Sequence, residues 1–453
     1  MPRQILDIVE MSSSRSKIGF YIDSSKIGSR DLRHPERGNP GVGGSQFVSL
    51  NIVRYLLAYA GRYVEPIIIT QNPEIFPHYM KCIYVDGGLS EVLETANREQ
   101  LHYVVCRPSI KKCGIEDFFS RAEKLGVRLV FRAAITPSPR ILTAMYESPA
   151  AERLVCVGRK QYEDIRDHPI MDKTVQIDDI FDPSPYMPEA NISKDGSLVV
   201  FVGSLIPAKS FHVLAEAWPE VIRKRPDARL VVVGSGSLYA DDSPFGPWGV
   251  ADEAYERRLR RSLADRDGQP HSSVTFSGCL GAEKIPLLQK ARVIVANPTG
   301  RTETACAVAK EAAASGTPLI AAKEAAFLDL VQDGKTGILI RGRKQLAKSI
   351  LTLLNDDELA ERMGSNALEY ARERYNPGEN AIEWANLFDD IDKGKNPEVL
   401  PVLEYSSYLV IWIKDILRYF KILVPGARNI PLIREWIAKC KRITLYIKDK
   451  LIL

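Results

Sequence analysis

The chain has 453 residues, 45% of them hydrophobic, and a formal charge of +4. That length exceeds what one ordinary core holds and predicts two domains with an appendage. Its 7 cysteines form no CxxC pair and no cysteine–histidine cluster at zinc spacing, which argues against a disulfide framework or a structural metal.

The charge is unevenly spread. Residues 401–453 carry ten basic and four acidic groups, a net +6, which leaves −2 for the first 400. The body therefore has no bulk electrostatic reason to bind nucleic acid, whereas the tail has one to sit on an anionic surface. The opening MPRQILDIVEMSSS lacks the apolar stretch and small-residue cleavage site of a signal peptide, and a reducing cytoplasm is the expected compartment.

Short apolar runs at 17–23, 64–70, 81–85, 102–106, 127–131 and 153–158 read as buried strands. Residues 45–61 and 115–126 have the periodicity of helices between them. In GNPGVGGSQF (38–47), Gly43 and Gly44 open a path for a ligand to backbone amides, and Ser45 is the expected N-cap of the next helix. After a Pro- and Asp-rich stretch (178–197) the alternation restarts with strands at 198–203, 229–234, 273–278, 291–296, 318–322 and 337–340. This is the rhythm of two doubly wound parallel α/β domains, joined near residue 190, with a ligand crevice between them. SPFGPWGVAD (243–252) is an insertion beside that crevice, read as a surface loop in preference to a lid.

Two motifs carry chemistry. Small residues from Ala305 to Ala314 let a helix start close to a strand end, where unpaired amides attract phosphate. Glu303 and Glu311 would flank a diphosphate there and accept hydrogen bonds from hydroxyls on either side. A glycoside hydrolase pair fits poorly, because eight residues of helix rise about 12 Å, beyond the roughly 5 to 9.5 Å that hydrolysis uses. Lys209, in FVGSLIPAKS after Gly203, can meet a diphosphate as a point charge. Neither glycine-rich stretch is a dinucleotide or P-loop fingerprint: 38–47 lacks GxGxxG and GK[ST], and 231–239 has Tyr239 where the third glycine should stand.

From about residue 17 to 390 the chain resembles the GT-B glycosyltransferases of family 4, the bacterial group that makes surface polysaccharides. The resemblance rests on GNPGVGGSQF, FVGSLIPAKS, DARLVVVGSGSL, VTFSGCL and ETACAVAKEAAASGTPLIAA, the last fitting the family's E-x7-E signature with Glu303 and Glu311. It implies a GT-B fold: a Rossmann-like acceptor domain at 1–188, a donor domain at 189–374 and a returning helix at 375–396, beyond which the sequence pattern itself predicts an amphipathic helical tail at 397–453. It further implies retaining transfer from a nucleotide-diphosphate sugar to a glycan or lipid-linked glycan, with no metal and no other cofactor.

Glu303 and Lys209 would then be catalytic, and Gly43, Gly44, Gly203, Ser204, Lys209, Thr304, Ala305 and Glu311 would bind the donor. Three departures stand out. Ser204 replaces the family's usual arginine, Thr304-Ala305-Cys306 replaces its glycines, and Ala133-Ala134 stands where relatives commonly show a histidine. A catalytically degenerate GT-B subunit supporting a partner, and a nucleotide-sugar epimerase, are the alternative readings. Homo- or hetero-oligomers stay open.

In the tail, 405–424 places Lys414, Arg418 and Lys421 on one helical face, and 434–453 aligns Trp436, Cys440, Ile443, Ile447 and Leu451. Neither provides the roughly 20 uncharged residues of a spanning helix. Both fit basic amphipathic helices lying in an anionic membrane interface, on the inner face of the cytoplasmic membrane, in preference to stripes that pack on the protein body or on another subunit.

Overall fold

The computed structural model describes residues 15–28, 30–110, 114–189, 192–236, 244–300, 303–403 and 407–440. Its first sheet contains β1 (Ser16–Tyr21), β2 (Val64–Thr70), β3 (Cys82–Tyr84), β4 (Tyr103–Cys106), β5 (Leu129–Ala133), β6 (Ala151–Cys156) and β7 (Thr174–Gln176). Their order is β3-β2-β1-β4-β5-β6-β7. The second contains β8 (Asp195–Val202), β9 (Arg229–Val233), β10 (Val274–Gly278), β11 (Ala291–Val295), β12 (Leu319–Ala322) and β13 (Gly337–Ile340), in the order β10-β9-β8-β11-β12-β13. All neighbours pair in parallel.

The runs of Val, Ile and Leu without polar alternation follow from this arrangement, since a parallel sheet is covered on both faces. Strand order reverses beside β1 and beside β8, which opens a crevice at each sheet's carboxyl edge. The expected helix at 45–61 is Gly44–Ala60. Its N-cap is Gly43, two residues before the expected Ser45, whose Oγ accepts from the Arg132 guanidinium at 3.1 Å.

Between the lobes the chain crosses twice. It leaves the first lobe through the turn Ser184–Tyr186 and returns at Tyr375 into the helix Pro377–Asp392. That helix packs on Gly44–Ala60, and Trp384 and Phe388 enter the core of the first lobe beside Phe20 and Tyr103. Tyr103 Oη donates to Asp392 at 2.5 Å. The two crossings touch: the Phe181 ring lies 5.3 Å from Tyr375 and 5.4 Å from Tyr186, and Arg374 pairs with Asp178 at 3.1 Å.

The insertion is pinned to the second lobe. Glu256, fully buried, accepts from the amides of Trp248 (2.6 Å) and Val250 (3.0 Å), and Trp248 Nε1 donates to the Gly268 carbonyl. Residues 244–252 are therefore a fastened loop; 237–243 lie outside the described residues.

The tail helix, Tyr408–Leu423, docks on the first lobe with its lysines inward. Lys421 meets Asp167 at 3.4 Å, Lys414 donates to the Glu163 carbonyl, and Arg166 pairs with Asp415 at 3.0 Å. The expected cationic outer face is thus corrected for Lys414 and Lys421, because buried acids and carbonyls of the 159–167 segment draw them in. Ile443, Ile447 and Leu451 lie outside the described residues. No described helix is long and apolar enough to cross a membrane.

Candidate functional site

The carboxyl edge of the second sheet collects the predicted residues. β8 ends at Val202 and runs into Gly203 and Ser204, and the turn Pro207–Lys209 follows at once. Gly203 can sit tight against β9 because its neighbour Gly234 has no side chain: at φ 143°, a Cβ on Gly234 would come within 1.9 Å of the Gly203 carbonyl oxygen. Lys209 is thereby turned toward the end of β11, where its Nζ lies 2.7 Å from Glu303 Oε1. Asn297 Nδ2 donates to the same oxygen at 2.9 Å. The Glu303 side chain is only 8% exposed, so an anion is held in place by a cation and an amide.

Glu303 precedes the helix Ala307–Ala314, whose N-cap is Cys306. Ala309, Ala312, Ala313 and Ala314 are buried, and their small side chains let this helix lie close on the sheet. Burial pushes the Cys306 thiol well above its usual range, so it is an uncharged packing group. Thr304 and Ala305 form the turn between carboxylate and helix. Thr304 Oγ1 donates to the Ala134 carbonyl of the first lobe at 2.6 Å. Gly158, on the same lobe, approaches the Thr304 carbonyl so closely that a Cβ there would stand 2.8 Å from it. Asp329 Oδ2 accepts from the Lys160 amide at 2.7 Å. The turn before this helix and the first lobe are therefore in direct contact.

Glu311 faces another pair of elements. Its Oε1 accepts from Lys284 Nζ at 2.7 Å and from Tyr186 Oη at 3.0 Å, while Oε2 is buried with no hydrogen-bond partner. Burial and then the adjacent carboxylate hold the Tyr186 phenol far above its usual range, so it remains a donor. Lys284 and Tyr186 were not foreseen from the sequence. They lie 27 and 125 residues from Glu311, and nothing in their local pattern marks them.

The glycine loop completes the opposite wall. Asn39 Oδ1 accepts from the amides of Gly41 and Val42, both at 2.9 Å. Gly41 and Pro40 face Cys279 and Gly281 of the second lobe. A Cβ on Gly44 would meet open space, whereas one on Gly43 would collide with Gln46. Behind Ala133, Arg132 is buried and bonded twice to Asp179 Oδ1, at 2.9 and 2.5 Å. Lys310 Nζ donates to the Asp179 carbonyl at 2.8 Å, and burial lowers its pKa. Asp265 accepts from the amides of Asp267 and Gln269 in its own turn, and Asp392 meets Arg128 at 2.8 Å.

Two Rossmann-like domains of parallel sheet, with a returning C-terminal helix, define the GT-B fold. Residues 185–370 match the family model described as Glycosyl transferases group 1. Among curated relatives, the D-inositol 3-phosphate glycosyltransferase of Corynebacterium glutamicum (strain R) is 32% identical over 214 residues, 46% of this chain and 47% of the relative. The putative glycosyltransferase YtcC of Bacillus subtilis (strain 168) is 26% identical over 212 residues, 46% of this chain and 49% of that protein. The chain spans about half the length of the curated relatives it matches.

Solved structures with the same fold include Anabaena Alr3699/HepE in complex with UDP and glucose. That comparison gives a TM-score of 0.60 and 16% identity, covering 83% of this chain and 100% of that one. Sucrose-phosphate synthase from Thermosynechococcus elongatus gives a TM-score of 0.64 at 18% identity, over 84% and 100%.

Proposed function

We propose that the chain is a retaining, metal-independent glycosyltransferase. It would move a sugar from a nucleotide-diphosphate donor to a hydroxyl of a glycan or lipid-linked glycan in bacterial surface polysaccharide synthesis, working peripherally on the inner face of the cytoplasmic membrane. The observation that carries this reading is Glu303, fixed by Lys209 and Asn297 at the carboxyl edge of the second sheet, with Glu311 buried nearby on the helix that follows. HepE, of like fold, was solved with UDP and glucose, which supports a nucleotide sugar as donor.

In this reading Glu303 accepts a hydroxyl of the donor sugar. Glu311 offers its unpartnered Oε2 to the ribose, and Lys284 and Tyr186 hold the carboxylate still while it does so. As the sugar–phosphate bond breaks, negative charge gathers on the diphosphate. Lys209, together with the amides of Thr304 and Ala305, offsets it at fixed positions. Gly203 and Ser204 bring bare backbone to the phosphates, and Gly43 and Gly44 leave room on the facing wall.

A second reading, a catalytically degenerate GT-B subunit, draws on one contact. The Thr304 hydroxyl closes on the Ala134 carbonyl, in the stretch where relatives commonly carry a histidine. A thermal-shift panel of UDP-, GDP- and ADP-sugars identifies the donor, because a ligand that binds the folded form raises the melting temperature. Release of nucleotide diphosphate by wild type, and its loss in Glu303→Gln, supports the transferase. Donor binding without turnover in wild type supports the inert subunit.

A further inference from the structure

The tail helix turns the usual polarity of an amphipathic helix around. Positions 409, 412, 413, 416, 420 and 423 follow the i, i+3, i+4, i+7 pattern of one helical face, and every one of them is exposed. Trp412 is 63% and Leu423 79% exposed, whereas Lys421 on the other face is 1% exposed. Among the described residues, 12 of the 18 exposed large hydrophobics fall between 408 and 437, so the apolar surface is one patch rather than scatter.

This segment is well fastened. Leu432 is fully buried in the core of the first lobe, the Ile433 amide donates to Asp167 at 3.1 Å, and Arg428 reaches Glu147 at 2.7 Å. The patch is therefore presented on a fixed support, and the lysines that would ordinarily greet a charged surface are spent on holding it there.

We infer that this outward face inserts into the headgroup–acyl boundary of an anionic bilayer, laying the helix in the plane of the membrane and seating the first lobe on it. The inference rests on the membrane-borne acceptor of the proposed function and adds the contact surface and its mode. The face carries the amphipathic rings of Tyr408, Trp412, Tyr419 and Trp436, residue types that settle where one end is apolar and the other wet. A helix of 16 residues is about 24 Å long and lies in the interface rather than crossing it.

Charge selects a bilayer over a second copy. The exposed Lys439 borders the patch, and the sequence continues through Lys441, Arg442, Lys448 and Lys450 against one Asp449. Those cations complement anionic headgroups but repel the same segment of another chain.

The test uses the full chain and vesicles of phosphatidylglycerol and phosphatidylcholine in a flotation assay. The variant Trp412→Ser/Ile416→Ser/Phe420→Ser changes exposed side chains and leaves the buried ion pairs alone. Wild type should float with anionic vesicles more than with pure phosphatidylcholine, and the triple variant should lose about tenfold or more of its bound fraction. Its nucleotide-sugar thermal shift should be that of wild type. Wild-type flotation by the triple variant overturns the inference. So does a wild type that stays off anionic vesicles, or that elutes as a dimer which the variant turns into a monomer. A missing thermal shift in both proteins, with flotation intact in wild type, would count against the transferase reading alone.

Discussion

Replacing Lys209 by methionine removes the cation beside Glu303 while keeping most of the side chain's bulk. Two effects follow, of different size. In the ligand-free protein the lost contact is a 2.7 Å charge-assisted hydrogen bond to a carboxylate that keeps the Asn297 amide. Such bonds contribute about 1.5–3 kcal/mol, or a melting drop of several degrees at ~2–4 °C per kcal/mol. In the reaction, one preorganised donor to developing charge is removed, which costs about 10²- to 10³-fold in kcat. Donor turnover measured well below the melting point separates the two. Because Lys209 and Glu303 touch, Lys209→Met/Glu303→Gln should fall no more than about tenfold below the worse single variant, since contacting residues are not additive. Turnover by Lys209→Met within about threefold of wild type would refute the assignment of Lys209 to the leaving diphosphate.

Glu311→Gln keeps the Tyr186 contact but weakens the acceptor offered to the donor's ribose, so calorimetry should show nucleotide affinity falling about tenfold, with kcat at saturation much less affected. Gly158→Ala puts a methyl group 2.8 Å from the Thr304 carbonyl and should hold the lobes apart. The expected result is a donor KM raised by about tenfold at nearly unchanged melting temperature. His168 is fully buried; burial, reinforced by Lys421, holds its imidazole down to about 3, whereas the unfolded chain takes up that proton near 6.5. Its contribution to stability is therefore present above 6.5 and lost as pH falls, by about 2 kcal/mol between pH 7.5 and 5. His168→Gln should flatten that part of the melting-temperature profile.

Much of this architecture was legible because parallel strands buried on both faces announce themselves as unbroken Val/Ile/Leu runs. β2 and β13 fall where the runs predict, at Val64–Thr70 and Gly337–Ile340. β7 was missed because Thr174–Gln176 sets a single apolar residue between two polar ones, whereas β3, equally short, lies in the apolar run 81–85. The helix Leu89–Arg98 was missed although its apolar residues are well spaced. In the site, Glu303, Glu311 and Lys209 stood out through motif spacing. Lys284, Tyr186 and the Arg132–Asp179 pair did not, because each is defined only by a distant partner brought near by the fold. The tail's helical faces were readable from periodicity, but which face turns outward depended on the Glu163 carbonyl and the Asp167 carboxylate, some 250 residues earlier.

The meeting of Phe181, Tyr186 and Tyr375 ties both interlobe crossings together at one spot. Two separate connections would act as a strut, whereas two stacked at one place form a pivot. Thr304 and Gly158 meet away from these rings, so the lobes are held at two separated places. With the returning helix and the tail both fastened to it, the first lobe gathers the chain's C-terminal segments onto one body, and the second lobe reaches it through these rings and the Thr304–Gly158 contact.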